Sequence, residues 1–212
     1  MTAKKQAYKT LADTMIKNFA KRNIKAFYCD GKEEAKALAM EFMKDGGTVG
    51  MGGSATVRET GLVDAIKETA TLRFLDRDTA KTPEEKKAIY LETMAADYFL
   101  MSSNAITVDG ELINIDGNGN RVACLIYGPE NVIIMAGMNK VVDDVEAGIQ
   151  RVGTHAAPPN AVRLGLRTPC GSIGHCTDCH SPDCMCCQIV ITRHSRHTGR
   201  IKVILIGEEL GF

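Results

Sequence analysis

The chain has no tryptophan, only 5% aromatic residues and no net charge, since its 26 basic residues are balanced by 26 acidic ones. Without a cationic excess, neither nucleic acid nor an anionic membrane surface is expected as the main partner, because both recruit proteins through surplus positive charge. No run approaches the roughly 20 apolar residues that a membrane span requires. The first residues, MTAKKQAYKTLADTMIKNFAKR, are polar and periodic and hold no apolar stretch suited to a signal peptide. These absences point to the cytoplasm, where thiols stay reduced and structural disulfides are rare. No internal repeat or low-complexity tract interrupts the 212 residues, a length suited to one sizeable core with a small appendix.

Several familiar signatures are missing too. The glycines of Gly50–Glu59 (GMGGSATVRE) follow neither the dinucleotide fingerprint nor the P-loop. Nothing spells a nucleophile–His–acid triad, and His155 stands alone. What the chain has instead is cysteine: six of its eight lie between Cys170 and Cys187 (CGSIGHCTDCHSPDCMCC), with His175 and His180 among them. Crowded thiols in a reducing compartment point to a bound metal or cluster rather than to disulfides. Cys176 and Cys179 form a C-x2-C pair, while Cys170 and the group Cys184, Cys186 and Cys187 supply further sulfurs. The order matches neither ferredoxin spacing nor a zinc ribbon, so spacing leaves an iron–sulfur cluster and a structural zinc both open. Cys184 follows the Ser181-Pro182-Asp183 bend so closely that Cys186 competes with it for the fourth position, and geometry does not separate them. Cys29 and Cys124 fall in apolar runs read as strands and are expected to be core residues.

Elsewhere, helical and strand patterns alternate. Helices are expected over Tyr8–Phe19, Ala35–Met43, from Thr56 with Glu59 as a capping box, and from Thr82-Pro83 toward Ala95. Strands are expected at Ile24–Cys29, Thr48–Met51, Leu72–Leu75 and Tyr98–Met101. This alternation predicts a mainly parallel sheet covered by helices on both faces. Asp109-Gly110 predicts a hairpin between 105–108 and 111–115, and Asp116–Asn120 a second turn leading into an apolar strand from Arg121. Val132–Ala136 reads as a buried strand, Val141–Val152 as a helix and Pro158-Pro159 as a break. Gln188–Arg193 and Ile201–Ile206 read as strands joined through an expected hairpin turn at 194–199, a solvated loop holding His194, Arg196 and His197. The glycine loop, with Gly50, Gly52, Gly53, Ser54 and Thr56, is a candidate anion site, and Asn104, Arg121 and Lys140 are candidates to face the same cleft. Most of the polar residues at 104–120 are expected to be turn formers.

Four segments, GMGGSATVRETGL (50–62), SSNAITVDGELINIDGNGNRVA (102–123), PENVIIMAGMNKVVDDVEAGIQRV (129–152) and TPCGSIGHCTDCHSPDCMC (168–186), together resemble the lactate-utilisation (LUD) domain family. Within it the chain is similar to the protein C-like branch and its small, cysteine-bearing members from anaerobes. The resemblance covers nearly the whole chain and implies a single domain over 1–212 with the cysteine segment, 168–187, inside it. It implies a three-layer α/β/α fold of the sugar-phosphate isomerase and CoA-transferase type, with ligand over Gly52, Gly53 and Ser54. A covalent CoA transferase is not implied, because Glu111 matches that family's glutamate only loosely. The family is linked to L-lactate oxidation beside redox partner proteins. The TPC…C..C.SPD..C arrangement of related members selects Cys170, Cys176, Cys179 and Cys186, and the redox link favours an iron–sulfur cluster, 4Fe-4S, over zinc. The alternative expectation is a binding protein or enzyme for a phosphate, CoA ester or carboxylate whose zinc knuckle is structural. Expected partners are a small anionic ligand, redox proteins and a second copy of the chain, with no nucleic acid and no membrane.

Overall fold

The computed structural model describes residues 2–212. Six strands form one sheet in the order β1 (Lys25–Cys29), β10 (Ile201–Ile206), β7 (Asn131–Gly137), β4 (Tyr98–Met101), β2 (Gly47–Met51), β3 (Leu72–Leu75). Every pairing in it is parallel. A parallel sheet covered on both faces needs strands that are apolar at every position, and alternate residues here feed two separate cores. Tyr98 and Leu100 of β4, Ile133 and Met135 of β7 and Ile204 and Ile206 of β10 pack with α2 (Lys32–Phe42), α3 (Ala55–Glu59) and α4 (Leu62–Glu68). Their neighbours Phe99, Met101, Val132, Ile134, Val203 and Leu205 turn the other way, onto α1 (Ala3–Lys21) and α6 (Asn120–Ile126). Met94, the last residue of α5 (Pro83–Met94), packs against this second core. The result is a three-layer α/β/α domain, as the alternating pattern predicts.

A second sheet of four strands, ordered β8 (Val141–Val142), β5 (Ala105–Thr107), β6 (Leu112–Asp116), β9 (Gln188–Thr192), stands apart from the first. Its β5–β6 hairpin is the expected one. Gly110 takes φ +89° in the turn, with the ring of Phe19 packed against it.

Four expectations need correction. Arg121 does not open a strand: residues 120–126 form α6, with Val122, Cys124 and Leu125 buried and Ile126 facing out. Seven residues, five of them apolar, are too few for periodicity to separate the two states. The distant Arg200 completes the helix by donating to the carbonyls of Cys124 (2.8 Å) and Leu125 (2.7 Å) near its end. Residues 188–193 and 201–206 are not a hairpin, because β9 joins β6 in the small sheet while β10 lies between β1 and β7. The helix expected from Val141 starts at Val145 behind Asp144, whose carboxylate accepts from the Ala147 amide, and Lys140 sits in a 3-10 turn. Pro158-Pro159 does not break the chain: α7 (Val145–Arg151) passes through a π turn at Val152–Ala156 directly into α8 (Ala157–Leu164). A widened turn already gives up the i→i−4 ladder, which removes most of the cost of prolines at the start of α8. No helix among the described residues is long and apolar enough to cross a membrane.

Candidate functional site

The strands β2, β3, β4 and β7 all end on the same side of the sheet, and a cleft of about 720 Å³ opens there. Ligands of open α/β sheets bind beyond the carboxyl ends of the strands, and the cleft has that location. Gly53, Ser54 and Thr56 line it after β2, Arg77 after β3, Ser102, Ser103 and Asn104 after β4, and Lys140 after β7. Two members of the glycine loop do not line it. A side chain at Gly50 would strike Thr93 of α5, and one at Gly52 would press on the stem of Arg121 at 3.1–3.2 Å. Both are packing glycines, whereas a Cβ at Gly53 would lie 2.6 Å from an Arg77 nitrogen on the cleft wall. Ser54, rather than Thr56, caps α3 by accepting from the Val57 amide (3.2 Å), which leaves its hydroxyl hydrogen free to donate.

Arg121 joins the two sheets. Its guanidinium donates to Asn114, to Asn104 (3.0 Å) and to the Ile115 carbonyl (2.8 Å), and it pairs with Asp116 at 3.2 Å. Four of its five N–H donors are thus committed within the protein, leaving one for a ligand. Burial lowers its pKa from the ordinary arginine value, and the Asp116 charge opposes that. Asn104 and Asp116 are therefore more than turn formers, although Asp116 also accepts from the Gly119 amide (2.8 Å) in the turn.

Lys140 is 4% exposed. Its Nζ donates to Thr56 Oγ1 (2.9 Å) and Ser102 Oγ (3.2 Å). Burial lowers its pKa to about 7, helped by Arg151 and Arg121 and opposed by Glu59. A lysine so placed is part amine and part ammonium at neutral pH.

The outer wall was not foreseen. Arg58, Arg77 and Arg163 line it together, and Arg163 is lowered first by burial and then by the charges of Arg77 and Arg58. One carboxylate, Asp78, serves Arg58 (2.6 Å) and Arg77 (3.8 Å), while Arg163 donates to Asn160 Oδ1 (2.6 Å). Three neighbouring guanidiniums, with one carboxylate paired to two of them, favour an incoming anion. The only sequence signal was their place after strand ends and in helix turns, which many solvated arginines share.

The cysteine segment supplies the remaining wall: Pro182, Asp183, Cys184, Met185 and Cys186 face the same cleft. Cys186 is the centre of the thiols. Counted over the whole residue it is exposed, but its sulfur is crowded, and burial pushes its pKa up to about 12, reinforced by Cys184, Cys176, Cys170 and Cys179. Cys184 adjoins Cys179: the Cys186 amide (3.4 Å) pulls its pKa down, but burial and Cys179 leave it raised overall. The Asp178 amide approaches the Cys176 sulfur at 3.4 Å, and the Thr168 hydroxyl lies 3.2 Å from that of Cys170. All eight cysteines are free thiols. The donor chemistry, thiols with N–H groups directed at them, fits an iron–sulfur cluster. No three His, Cys, Asp or Glu side chains among the described residues converge as a single bound ion requires. Cys187 sits beside Cys184, its thiol 3.5 Å from the Cys184 carbonyl, and its amide donates to the Asp116 carbonyl (2.9 Å) ahead of β9. Cys29 and Cys124 are core residues, as expected, with burial pushing their thiols up to about 12 and 11. Glu111 lies away from the cleft, paired with Arg22 at 3.1 Å, and His155 is exposed against Thr154.

These features define a three-layer α/β/α domain with a cation-lined cleft at the carboxyl ends of its strands and a thiol-rich wall. Residues 12–206 match the family model of the LUD domain, and the chain belongs to that family. A solved DUF162 family protein from Deinococcus radiodurans is similar in fold, with a TM-score of 0.53 and 13% identity over 94% of this chain and 98% of that one. A crystal structure of eIF2B delta from Chaetomium thermophilum matches over 63% of this chain and 49% of that one, at 18% identity and a TM-score of 0.35. No curated protein matches.

Proposed function

We propose that this LUD domain is a cytoplasmic component of 2-hydroxy acid utilisation, with L-lactate as the reference substrate. In this reading it binds a small anionic ligand in the cleft and carries an iron–sulfur cluster on Cys170, Cys176, Cys179 and Cys186. The observation that carries the reading is that Cys184–Cys186 form a wall of the same cleft that Lys140, Arg121 and the three outer arginines line. When bound, a cluster supplies one-electron transfer. The chain's own residues do the rest: the guanidiniums neutralise a carboxylate or phosphate, Arg121 holds the hairpin sheet against the glycine loop, and the cysteine wall limits water access from one side. Cys184 is the rival fourth ligand, since it too neighbours Cys179 and Cys186. Family membership supports the link to lactate utilisation, and the reducing cytoplasm suits eight free thiols.

Anaerobically purified protein should be brown, contain iron and acid-labile sulfide, and change its absorption on reduction by dithionite. Colourless protein with stoichiometric zinc would instead favour a ligand-binding domain with a structural zinc knuckle. Thermal shift with lactate, pyruvate, sugar phosphates and CoA esters tests the cleft independently of the metal. The variant Gly53→Asp, which sets a carboxylate against Arg77, should abolish any such shift.

A further inference from the structure

We infer that Lys140 is a nucleophile that captures a 2-oxo acid as an imine in the cleft. This deepens the reading of the cleft as a carboxylate site and names its ligand as the oxidised partner of a 2-hydroxy acid. Three observations carry it. The first is position: Lys140 follows β7, at the strand ends where the glycine loop and Ser102 also meet, and it lines the cleft although almost wholly buried. A buried amine has lost the hydration that makes an exposed lysine a stable cation.

The second is its partners. A lysine kept for charge alone would be expected to face a carboxylate, but Nζ is held by two hydroxyls, Thr56 and Ser102, and makes no ion pair among the described residues. Burial acts on it first; the guanidiniums of Arg151 and Arg121 act in the same direction and the Glu59 carboxylate opposes them, and desolvation beside other cations is how a lysine becomes an amine at neutral pH. Arg151 is itself occupied, donating to the carbonyls of Asn104 (2.7 Å) and Asn139 (3.1 Å). Its charge therefore stays near Lys140 without quenching it.

The third is direction of access. Gly211, at φ +59°, packs its backbone so closely over the amine that a Cβ there would stand 3.2 Å from Nζ and 2.4 Å from Thr56 Oγ1, which closes that side and leaves the cleft side for a ligand. Glu59 fixes this segment by accepting from the Gly211 amide (2.8 Å).

The chemistry balances without an outside redox agent. The nitrogen lone pair attacks the ketone carbon, and the C=O π electrons move to oxygen. A proton passes from nitrogen to that oxygen, for which the Ser102 and Thr56 hydroxyls are in place. The carbinolamine then loses water and leaves C=N. The uncommitted N–H of Arg121 is available for the ligand's carboxylate. A 2-hydroxy acid, having no carbonyl, cannot react this way, so the site discriminates between the two oxidation states.

The test is reductive trapping on the full-length, anaerobically purified protein. Samples are incubated with pyruvate, glyoxylate or 2-oxoglutarate and sodium cyanoborohydride, digested, and mapped by mass spectrometry. The expected result is a reduced adduct on Lys140 in preference to exposed lysines such as Lys4 and Lys44, with at least tenfold higher occupancy. Lactate should give none. Absence of adduct at Lys140 with all three acids, or labelling no greater than at the surface lysines, overturns the inference. The parent protein alone decides this, so a misfolded Lys140→Arg variant would not obscure it. Trapping needs no metal: an adduct on iron-free protein would leave the inference standing while the cluster reading failed, and iron-loaded protein without adduct would do the reverse.

Discussion

The two walls of the cleft are built on opposite physical terms. The sheet wall rests on central strands that are almost wholly buried, with Phe99, Leu100, Ile133, Ile134, Val203 and Ile204 all at or below 1% exposure. The thiol wall, from Thr168 to Cys187, buries only Thr168 and Cys170, and its apolar Ile173 lies 58% exposed. One wall is ordered by apolar area removed from water, which needs no ligand. The other has almost no such area and is ordered by α9 (Pro169–Ile173) and a few hydrogen bonds, to which the proposed cluster would add. In the proposed reading, the sheet positions the ligand and the loop holds the cluster.

The largest expected effect separates the walls directly. Removing bound metal with a chelator should erase hydrogen-exchange protection over 168–187 while β4, β7 and β10 keep theirs. Uniform loss along the chain, or no loss anywhere, would mean that the two walls are not independent. The converse experiment is Phe99→Ala, which should cost about 3–5 kcal/mol in denaturant unfolding. Its metal content per folded molecule should stay at the parent value.

A smaller effect probes the seam between the walls. Lys140→Met should stabilise the protein by about 2 kcal/mol at pH 7, since each unit of lowered pKa is worth about 1.4 kcal/mol and two hydrogen bonds are given up in exchange. The folded pKa, about 7, lies below the unfolded one. Burying the lysine is therefore most costly at and below pH 7, and the cost fades as pH rises toward 10.5. The gain from Lys140→Met should thus shrink between pH 7 and 9. Above pH 9 the thiols of Cys29 and Cys124, held protonated in the fold, lower the stability of parent and variant alike. A gain that grew with pH would contradict the assignment. The smallest effect is expected from Cys187→Ser, which should retain the bound metal and change stability by no more than about 0.5 kcal/mol. Placed beside the other five Cys→Ser variants, it sharpens the thiol wall's membership: loss of iron in Cys184→Ser with retention in Cys186→Ser would exchange the fourth ligand.

Legibility divided along the same line. The parallel sheet could be read because a strand buried on both faces must be apolar at each position, and helices covering it must show a 3.6-residue period. The hairpin could be read from Asp109-Gly110 because few residues tolerate its turn. Of the proposed cleft residues, Gly53, Ser54, Thr56, Asn104, Arg121 and Lys140 meet in one cavity, whereas Gly50 and Gly52 serve packing. Arg58, Arg77 and Arg163 were missed because a guanidinium in sequence looks alike whether it faces solvent or two of its own kind.

By itself the sequence determined the layers, the order of most elements and the presence of a thiol cluster, since those follow from periodicity, turn chemistry and composition, which are local. Tertiary structure alone decided that residues 120–126 coil as a helix, because Arg200 binds the carbonyls near its end from 75 residues away. It decided that β9 and β10 part into different sheets, because β10 fits between β1 and β7. It also decided that Lys140 lies among hydroxyls and guanidiniums rather than in water. A side chain's protonation and reactivity depend on the charges and dielectric around it, and these come from residues far away in the chain.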